Sequence, residues 1–487
     1  MRLIFYNFML HYKSYFLLKA LFPIRGDNLQ QGAAFHFTKH AAFFEKWRGG
    51  RGEEKNFFHV KKTNVGTEVF LLFPALIYPC REQRIVKKQR GQIMRFVEFF
   101  PEKAGNIEIN SFSPESLAPL AYDQELELKN KALKALLTAG KIQACLAPIV
   151  PSPRPREYRT TGKRRVTYSN GKLFFHMGKS HGKAPVVKSV LEPGSHQEIY
   201  AFCHKKFSQI RHKAAALSLN YLILRGNYTE HALIFNVKRL NGDIVRSLRS
   251  ISVEAVEALP ALRSAFVYVD ETASDYYLEA ERPEKGVAFK KLCGPEFLAL
   301  KTGGKKLLYP PTVFSQINES ILPRFLQELE KYLAPENETA LIDLYCGYGL
   351  WSLSLGDKLA SVWGAELSGD AIRSAKSNAA FHYREKDFHY EVLSITSDGL
   401  KGKLPPLKGK KERILLDPPR KGCAPGVLET IISRRPGKIL HMFCGADEIV
   451  PALQIYQANG CVIEKLIPFD FFPGSMNVEM LAVINKK

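Results

Sequence analysis

The regular alternation of apolar runs and amphipathic helices after about residue 320 constrains the fold of this chain most. In the run ESILPRFLQELEKYL (319–333), Ile321, Phe325 and Leu329 fall on one helical face, and SGDAIRSAKSNAAFH (368–382) is a second predicted helix. Short apolar runs have the composition of buried strands: TALIDLYC, SVWGAE, ERILLDPP, GKILHMFC and MLAVIN. Strands that alternate with helices favour an α/β fold with a doubly wound, mostly parallel sheet. Ligands of such sheets bind at the carboxyl ends of the strands.

The preceding part of the chain has a different pattern. A helix is predicted over 120–140, where Leu126, Leu133 and Leu137 fall near one face and Gly140 follows as a stop signal. Residues 163–300 alternate short β-like runs with basic loops, which predicts an α+β module. The cluster Lys163–Arg165 is either an RNA contact or a solvated charge run. We therefore predict a central α+β domain over 94–310 and a Rossmann-like domain over 311–487.

Residues 1–93 differ in composition from the rest of the chain. They show no sustained helical or strand period beyond residue 24, and KWRGGRG (46–52) resembles a loop. We expect this segment to be a poorly ordered extension that is dispensable for activity. Met94 opens a stretch typical of an ordinary domain, and it is a candidate for the native start.

Charge favours a polyanionic partner. The formal net charge is +22, of which residues 1–93 carry +10 and the remaining body +12. Nucleic acid is the usual partner of a protein with this excess of cations. Eight cysteines without a CxxC pair predict a reducing compartment, hence a cytoplasmic location. No apolar run of the roughly 18 residues that span a bilayer is present, so no membrane partner is expected.

Two strand ends carry the residues of a nucleoside site. The run from Asp343 to Gly349 places Gly347 and Gly349 where the backbone can approach a ligand closely. Glu366, at the end of the next strand, can accept both hydroxyls of a ribose. The full GxGxxG fingerprint is missing. This favours S-adenosylmethionine, which has no phosphates, over a dinucleotide.

A third strand ends in Asp417-Pro-Pro-Arg420, where two prolines stiffen the turn. Enzymes that methylate exocyclic amino groups have an aromatic residue after a similar turn, and Arg420 argues against that chemistry. Cys444 ends a fourth strand on the same predicted edge and is either a nucleophile or an inert core thiol. Glu479 interrupts an apolar terminal strand and is either functional or part of a structural ion pair.

Taken together, these motifs resemble the RNA (uracil-5-)-methyltransferase family over roughly 115–487. The matching residues are Phe314-x-Gln316-x-Asn318, Asp343 to Gly349, Asp417 to Gly422, Cys444, Asp470-Phe-Phe-Pro473 and Glu479, with Tyr122, Gln124, Lys129, Tyr158 and Arg159 upstream. The resemblance implies structured RNA, rRNA or tRNA, as substrate. It also implies Cys444 as nucleophile, Glu479 as base, and four contacts with S-adenosylmethionine: Gln316, Tyr345, Glu366 and Asp417. We expect a thiol pKa below its free value, a monomer and no metal.

Three departures from the family pattern are visible. Gly445-Ala446 replaces Asn-Pro after the cysteine, and Asn477 replaces the histidine before the base. The stretch 110–122 contains no cysteine, so the iron–sulfur cluster of many relatives is expected to be absent. Two other functions remain open: a methyltransferase for another RNA base, and a catalytically silent RNA-binding protein of the same family.

Overall fold

The computed structural model of the chain describes residues 59–63, 66–70, 94–111, 113–169, 171–177, 185–271, 289–333, 338–406 and 411–486. The chain forms two compact units, Met1–Lys88 and Gln89–Lys487. In the first unit, strands β1 (His59–Thr63) and β2 (Gly66–Phe70) pair as an antiparallel hairpin. The predictions for the rest of 1–93 lie outside the described residues.

The second unit begins with a 3-10 turn, a small hairpin and one long helix. Strands β3 (Lys103–Ala104) and β4 (Ile107–Glu108) form the hairpin. Helix α1 (Tyr122–Ala139) lies within the predicted range 120–140, and Gly140 follows it as a cap. The buried apolar residues of α1 belong to the same apolar cluster as Ile342 and Trp363 of the C-terminal sheet. The helix that the sequence assigned to the central domain thus packs on the other sheet, and the boundary at 310/311 stays a prediction.

A six-stranded sheet with three helices follows. Its strands are β5 (Gly162–Ser169), β6 (Lys172–His176), β7 (Leu219–Gly226), β8 (His231–Val237), β9 (Leu262–Val269) and β10 (Phe289–Cys293). Their order is β10-β9-β8-β7-β5-β6, with β8 and β9 parallel and the other neighbours antiparallel. The helices are α2 (Gly194–Phe207), α3 (Lys213–Ser218) and α4 (Gly242–Ala258). A separate hairpin, β11 (Leu298–Thr302) and β12 (Lys305–Tyr309), leads to the C-terminal sheet. Of the short β-like runs predicted within 163–300, YYLEAE (276–281) lies outside the described residues.

The basic cluster Lys163–Arg165 is not a uniform surface patch. The Arg164 side chain is buried, and its two terminal nitrogens donate to Glu192 at 2.8 and 3.0 Å. A bidentate pair of this kind commits the guanidinium to a structural contact, so it does not face solvent or RNA. For Arg164, both sequence interpretations, an RNA contact and a solvated charge, are therefore wrong.

The C-terminal sheet has seven strands. They are β13 (Ala340–Leu344), β14 (Ser361–Glu366), β15 (Asp387–Val392), β16 (Glu412–Leu416), β17 (Lys438–Phe443), β18 (Cys461–Phe469) and β19 (Glu479–Lys486), in the order β15-β14-β13-β16-β17-β19-β18. Strands β13 to β17 are parallel, and β19 runs antiparallel to both β17 and β18. The associated helices are α5 (Leu322–Leu333), α6 (Leu350–Ser354), α7 (Gly369–His382), α8 (Ser397–Leu400), α9 (Val427–Ser433) and α10 (Ile449–Ala458).

This architecture confirms the predicted α/β class. All five predicted strands are present, whereas β15 and β18 were not predicted. Strand β15 is polar and half exposed at the sheet edge, so it lacks the apolar run that marked the others. Among the described residues, no helix is long and apolar enough to cross a membrane.

Candidate active site

The carboxyl edge of the C-terminal sheet collects the candidate residues. Tyr345 follows β13, Glu366 ends β14, Asp417 follows β16 and Cys444 follows β17. Strand β19 runs the opposite way, so its first residue, Glu479, lies at the same edge. Its neighbour Met480 pairs with Phe443. The sheet topology therefore brings five of the six predicted site residues to one edge.

Cys444 and Asp417 are in direct contact. The Cys444 thiol donates to Asp417 Oδ1 at 2.9 Å, and the Trp351 indole Nε1 donates to Asp417 Oδ2, also at 2.9 Å. These two hydrogen bonds join Asp417, which follows β16, to Cys444 at the end of β17 and to Trp351 on helix α6. Burial raises its pKa, against hydrogen bonds from Cys444 and Trp351 that lower it.

The environment of the thiol is acidic. Burial raises the pKa of Cys444 well above its usual range, and the neighbouring carboxylates of Asp417 and Glu479 raise it further, whereas Arg420 lowers it. The expectation of a lowered thiol pKa is wrong for this arrangement. The physical reason is that two carboxylates and partial burial outweigh one exposed guanidinium. The thiol holds its proton at neutral pH and needs an acceptor before it can attack.

Glu479 is a buried carboxyl group that forms no salt bridge among the described residues. It is 3% exposed, and its Oε2 atom has no hydrogen-bond partner among the described residues. Burial raises the pKa of Glu479 well above its usual range, Asp417 raises it further, and Arg420 and the Cys444 hydrogen bond lower it. A structural ion pair would have closed this carboxyl group on a cation. The absence of a hydrogen-bond partner for Oε2 among the described residues therefore favours the functional interpretation.

The edge at β13 and β14 has the features of a nucleoside site. Gly347 has φ +54°, and a Cβ atom at this position would meet nothing within 4 Å, so its backbone borders open space. Tyr345 adopts φ +63°, a strained conformation for a residue with a side chain. One Glu366 oxygen accepts from the Ser368 amide at 2.9 Å. Beneath them, burial raises the pKa of Asp343 to about 7, and the charges of Asp417 and Glu366 contribute.

Gln316 is buried in a segment that crosses this edge. On one side, Thr312 donates to Asp370, in the first turn of α7 and four residues after Glu366. On the other side, Asn318 donates to the carbonyl oxygen of Phe471 at 3.2 Å. The segment thus runs from the Glu366 end of the edge to the Glu479 end. No described contact assigns the Gln316 amide itself a partner.

A buried ionic cluster supports the loop that precedes Glu479. Lys129 of α1 is fully buried and donates to Glu125 and Asp470, both at 2.7 Å, and to the carbonyl oxygen of Phe472 at 3.2 Å. Glu125 also accepts from the Gly474 amide at 2.6 Å. These contacts give Lys129 and Asp470 a structural role. They join helix α1 to the connection between β18 and β19.

Two features of the site were missed by sequence reasoning. Trp351 was read only as an interruption of the glycine motif, yet it is buried and holds Asp417. The available signal was its place two residues after Gly349, because a buried indole N–H has to find an acceptor. The role of the Lys129 cluster was also missed, because Lys129 and Asp470 are 341 residues apart in sequence.

Among the described residues, no group of three or more His, Cys, Asp or Glu side chains could hold a metal ion.

The structure gives a steric reason for Gly445. A Cβ atom there would lie 2.5 Å from the carbonyl oxygen of Arg420. We expect Gly445→Ala to push the Asp417–Arg420 turn away and to lower the free energy of unfolding by about 1–3 kcal/mol, as overpacking does. Urea denaturation measures this change. Gly194→Ala is the control, because a Cβ atom at Gly194 meets nothing within 4 Å. Equal stability of the two variants would contradict the close contact.

Comparisons with known proteins bear on the fold and on the class of protein. No protein-family model matches the chain. An uncharacterized RNA methyltransferase of Lactococcus lactis is 23% identical over 377 residues, which cover 76% of this chain and 80% of the relative. One from Oceanobacillus iheyensis is 25% identical over 386 residues, covering 76% and 81%. The crystal structure of Pyrococcus abyssi tRNA (uracil-54, C5)-methyltransferase with S-adenosyl-L-homocysteine matches with a TM-score of 0.58 and 20% identity, covering 76% of this chain and 85% of that one.

The fold is accordingly the Rossmann-like α/β fold of methyltransferases. The chain is similar to proteins named RNA methyltransferases over about three quarters of its length.

Proposed function

We propose that this protein is an RNA methyltransferase that transfers a methyl group from S-adenosylmethionine to carbon 5 of a uridine. The observation that carries the proposal is the meeting of Cys444 and Glu479 at the carboxyl edge of the sheet. A nucleophile and an open carboxyl group on adjacent strands are the two groups that this reaction needs. The named RNA methyltransferases among its relatives support the substrate class.

The residues of the β13–β14 edge fit S-adenosylmethionine. The second oxygen of Glu366 would accept from the ribose hydroxyls, and the open backbone at Gly347 would face the nucleoside. Tyr345, Gln316 and Asp417 lie along the same edge or in the segment that crosses it. When bound, the cofactor supplies a methyl group on a positively charged sulfur. The acidic edge suits that charge, since Glu366 and Asp417 both lie there.

Cys444 would activate the pyrimidine ring. Carbon 5 of uracil is a poor nucleophile, and a sulfur that adds to carbon 6 converts it into the nucleophilic end of an enolate. The thiol is protonated at rest, so its proton has to leave as the sulfur–carbon bond forms. Asp417 Oδ1 already accepts the thiol hydrogen at 2.9 Å and is the nearest acceptor for it. The raised pKa of Asp417 makes it a better proton acceptor than an ordinary aspartate.

Glu479 would complete the reaction. After methylation, carbon 5 carries both the new methyl group and its original hydrogen. A carboxylate has to remove that proton before the sulfur leaves carbon 6 and the ring regains its double bond. A raised pKa makes Glu479 a stronger base once it is ionised, and Arg420 stabilises the ionised form.

The substrate would be structured RNA, either tRNA or rRNA, with the target base flipped out or offered from a loop. The basic body of the chain, with a charge of +12 outside residues 1–93, would hold the phosphates. The protein would work as a monomer in the cytoplasm, without a metal or an iron–sulfur cluster.

Release of tritium from RNA labelled at carbon 5 of uridine tests this proposal. The wild-type protein with S-adenosylmethionine should release one tritium per methyl group transferred. A Glu479→Gln variant should form the methylated covalent adduct but eliminate slowly, because its amide cannot take the proton. A denaturing gel should then show a slower protein–RNA band that requires the cofactor.

Glu464→Gln serves as the control, because Glu464 lies on the partly exposed face of β18 and pairs with Lys438. It should release tritium at the wild-type rate. Methyl transfer without tritium release would indicate another base or another atom of uracil. RNA binding without any methyl transfer would instead favour the alternative function, a catalytically silent RNA-binding protein, which the departure at Gly445-Ala446 suggests. Normal turnover by Glu479→Gln would assign the base to another group.

A further inference from the structure

A second site lies beside the catalytic edge. It is a cleft of about 830 Å³ whose lining shares no residue with the six proposed site residues. Strands β9 and β10 contribute Phe266 and Phe289 to its walls, and β12 contributes Lys306 and Leu308. Helix α7 closes the other side with residues spaced three or four apart, which is one face of the helix: Asp370, Arg373, Ser374, Ser377, Asn378 and Phe381.

The aromatic residues of this cleft are unusually accessible. Phe381 is 82% exposed and Phe297 is 49% exposed, and Leu308 beside them is 42% exposed. Phe289 stacks on the buried Phe266 with ring centroids 5.0 Å apart, so it is held as a fixed platform. Large apolar groups that are grouped and exposed mark an interaction surface.

The charged residues of the cleft favour an anionic partner. Lys291 and Lys306 have no carboxylate within ion-pair distance among the described residues, so both ammonium groups are available. Two acidic residues also line the cleft: Asp370 accepts from Thr312 and pairs with Arg373, and Glu296 is exposed. Against them stand Lys291, Lys306 and Arg373, so the lining keeps a small excess of positive charge. Exposed aromatic rings next to uncommitted cations are the chemistry of single-stranded nucleic acid, in which bases stack and phosphates pair.

The cleft also adjoins the catalytic edge. Thr312 stands four residues before Gln316, and its hydrogen bond to Asp370 joins that segment to the start of α7. The polar side chain of Asn378 fixes the opposite wall, because it exchanges two hydrogen bonds with the backbone of Leu308, at 2.9 and 3.0 Å. The cleft is thus a preformed site beside the Glu366 end of the catalytic edge.

We propose that this cleft binds an unpaired nucleotide of the RNA that flanks the target uridine, with its base against Phe297 and Phe381 and its phosphate at Lys291 and Lys306. The proposal rests on the proposed function for the identity of the RNA as substrate. It predicts a preference for RNA with unpaired residues next to the target, because a base in a duplex cannot reach the rings.

The test measures binding of the full chain to a single-stranded RNA of about 12 nucleotides, within the usual site size, and to a duplex of the same length. Phe381→Ala and Phe297→Ala should each weaken single-strand binding by about 5- to 100-fold, the loss expected for one base–aromatic stack, and should spare duplex binding. Lys306→Ala should lower the slope of log affinity against log salt by about 0.7, the value for one phosphate contact in a single strand. The phenylalanine variants should leave that slope unchanged.

Val253→Ala is the matched control, because Val253 is an exposed apolar residue on α4 outside the cleft. All variants should keep the wild-type melting temperature, since Phe381 is mostly in solvent. Single-strand affinities within twofold of wild type for both phenylalanine variants would overturn the proposal. So would a change in sedimentation without a change in RNA affinity, which would mark the cleft as a contact between copies. Tritium release by the wild-type protein is scored separately, so a failure of the catalytic proposal is distinguishable from a failure of this one.

Discussion

A Cys444→Ala variant should transfer methyl groups to RNA at least roughly 10³-fold more slowly than the wild type, because alanine cannot form the bond to carbon 6. Its affinity for S-adenosylmethionine should be nearly unchanged, since Tyr345, Glu366 and Gln316 are not altered and Asp417 keeps its hydrogen bond from Trp351. Single-turnover methylation with labelled cofactor measures the first quantity, and calorimetric titration measures the second. The variant should also lose the denaturant-resistant adduct with RNA.

Cys461→Ala is the control for this experiment. Cys461 is a buried thiol in the apolar core at the start of β18, and Glu479 pairs with the other end of that strand. Its replacement should leave turnover within a few-fold of wild type. Turnover of the same order by Cys444→Ala would rule out the covalent mechanism. Loss of cofactor binding in the Cys444→Ala variant would instead show that the thiol maintains the structure of the cofactor site.

Removal of the buried cation should have the largest effect on stability. Lys129→Met would leave the fully buried Asp470 without its cation and would leave Glu125 with only the partly exposed Arg156, at 3.3 Å. Breaking a buried ionic cluster in this way costs about 3–5 kcal/mol of unfolding free energy. Urea denaturation at neutral pH measures this loss.

The pH dependence of the loss has a definite sign. Burial already raises the pKa of Glu125, and Lys129 is the main group that lowers it. Without the lysine, the pKa of Glu125 rises further, so the variant regains part of its stability as the pH falls and the carboxyl group is protonated. Glu125→Gln in the Lys129→Met background should recover part of the loss at neutral pH.

Lys131→Met provides the control for the ionic cluster. Lys131 lies on the same helix and pairs with Glu127, but both side chains are mostly exposed. Exposed pairs contribute about 0–1 kcal/mol, so this variant should be nearly as stable as the wild type. Equal losses for the two lysine variants would contradict the buried cluster.

Local patterns predicted the α/β class and the strand ends well, for a physical reason. A buried parallel strand is apolar along its whole length, so its end is visible as the first polar residue or glycine, as at Glu366 and Asp417. The carboxyl ends of parallel strands share one edge, so these positions could be placed together without coordinates. The same signal is weak for strands that are half exposed, and β15 was therefore missed.

Glu479 shows where such reasoning stops. The sequence marked it as a carboxylate in an apolar strand, but the direction of that strand could not be read from residue types. Because β19 inserts antiparallel between β17 and β18, its first residue meets the last residues of β17. A parallel strand would have placed Glu479 at the opposite edge.

The thiol environment and the ionic cluster were decided by tertiary structure alone. The expected role of Cys444 as a nucleophile suggested a lowered pKa for its thiol. The structure buries the thiol, which raises its pKa most, and places the carboxylates of Asp417 and Glu479 beside it, which raise it further.

By itself, the sequence determined the types of the apolar strands and helices and the polar residue at each strand end, since these depend on neighbours within a few positions. It also determined the net positive charge, which depends on composition alone. The tertiary structure decided which strand ends meet, which charges are buried and how Lys129 reaches Asp470 across 341 positions. It also created the aromatic cleft from β9, β10, β12 and α7. Such features depend on distances between distant segments and on the exclusion of water, and no local pattern encodes either.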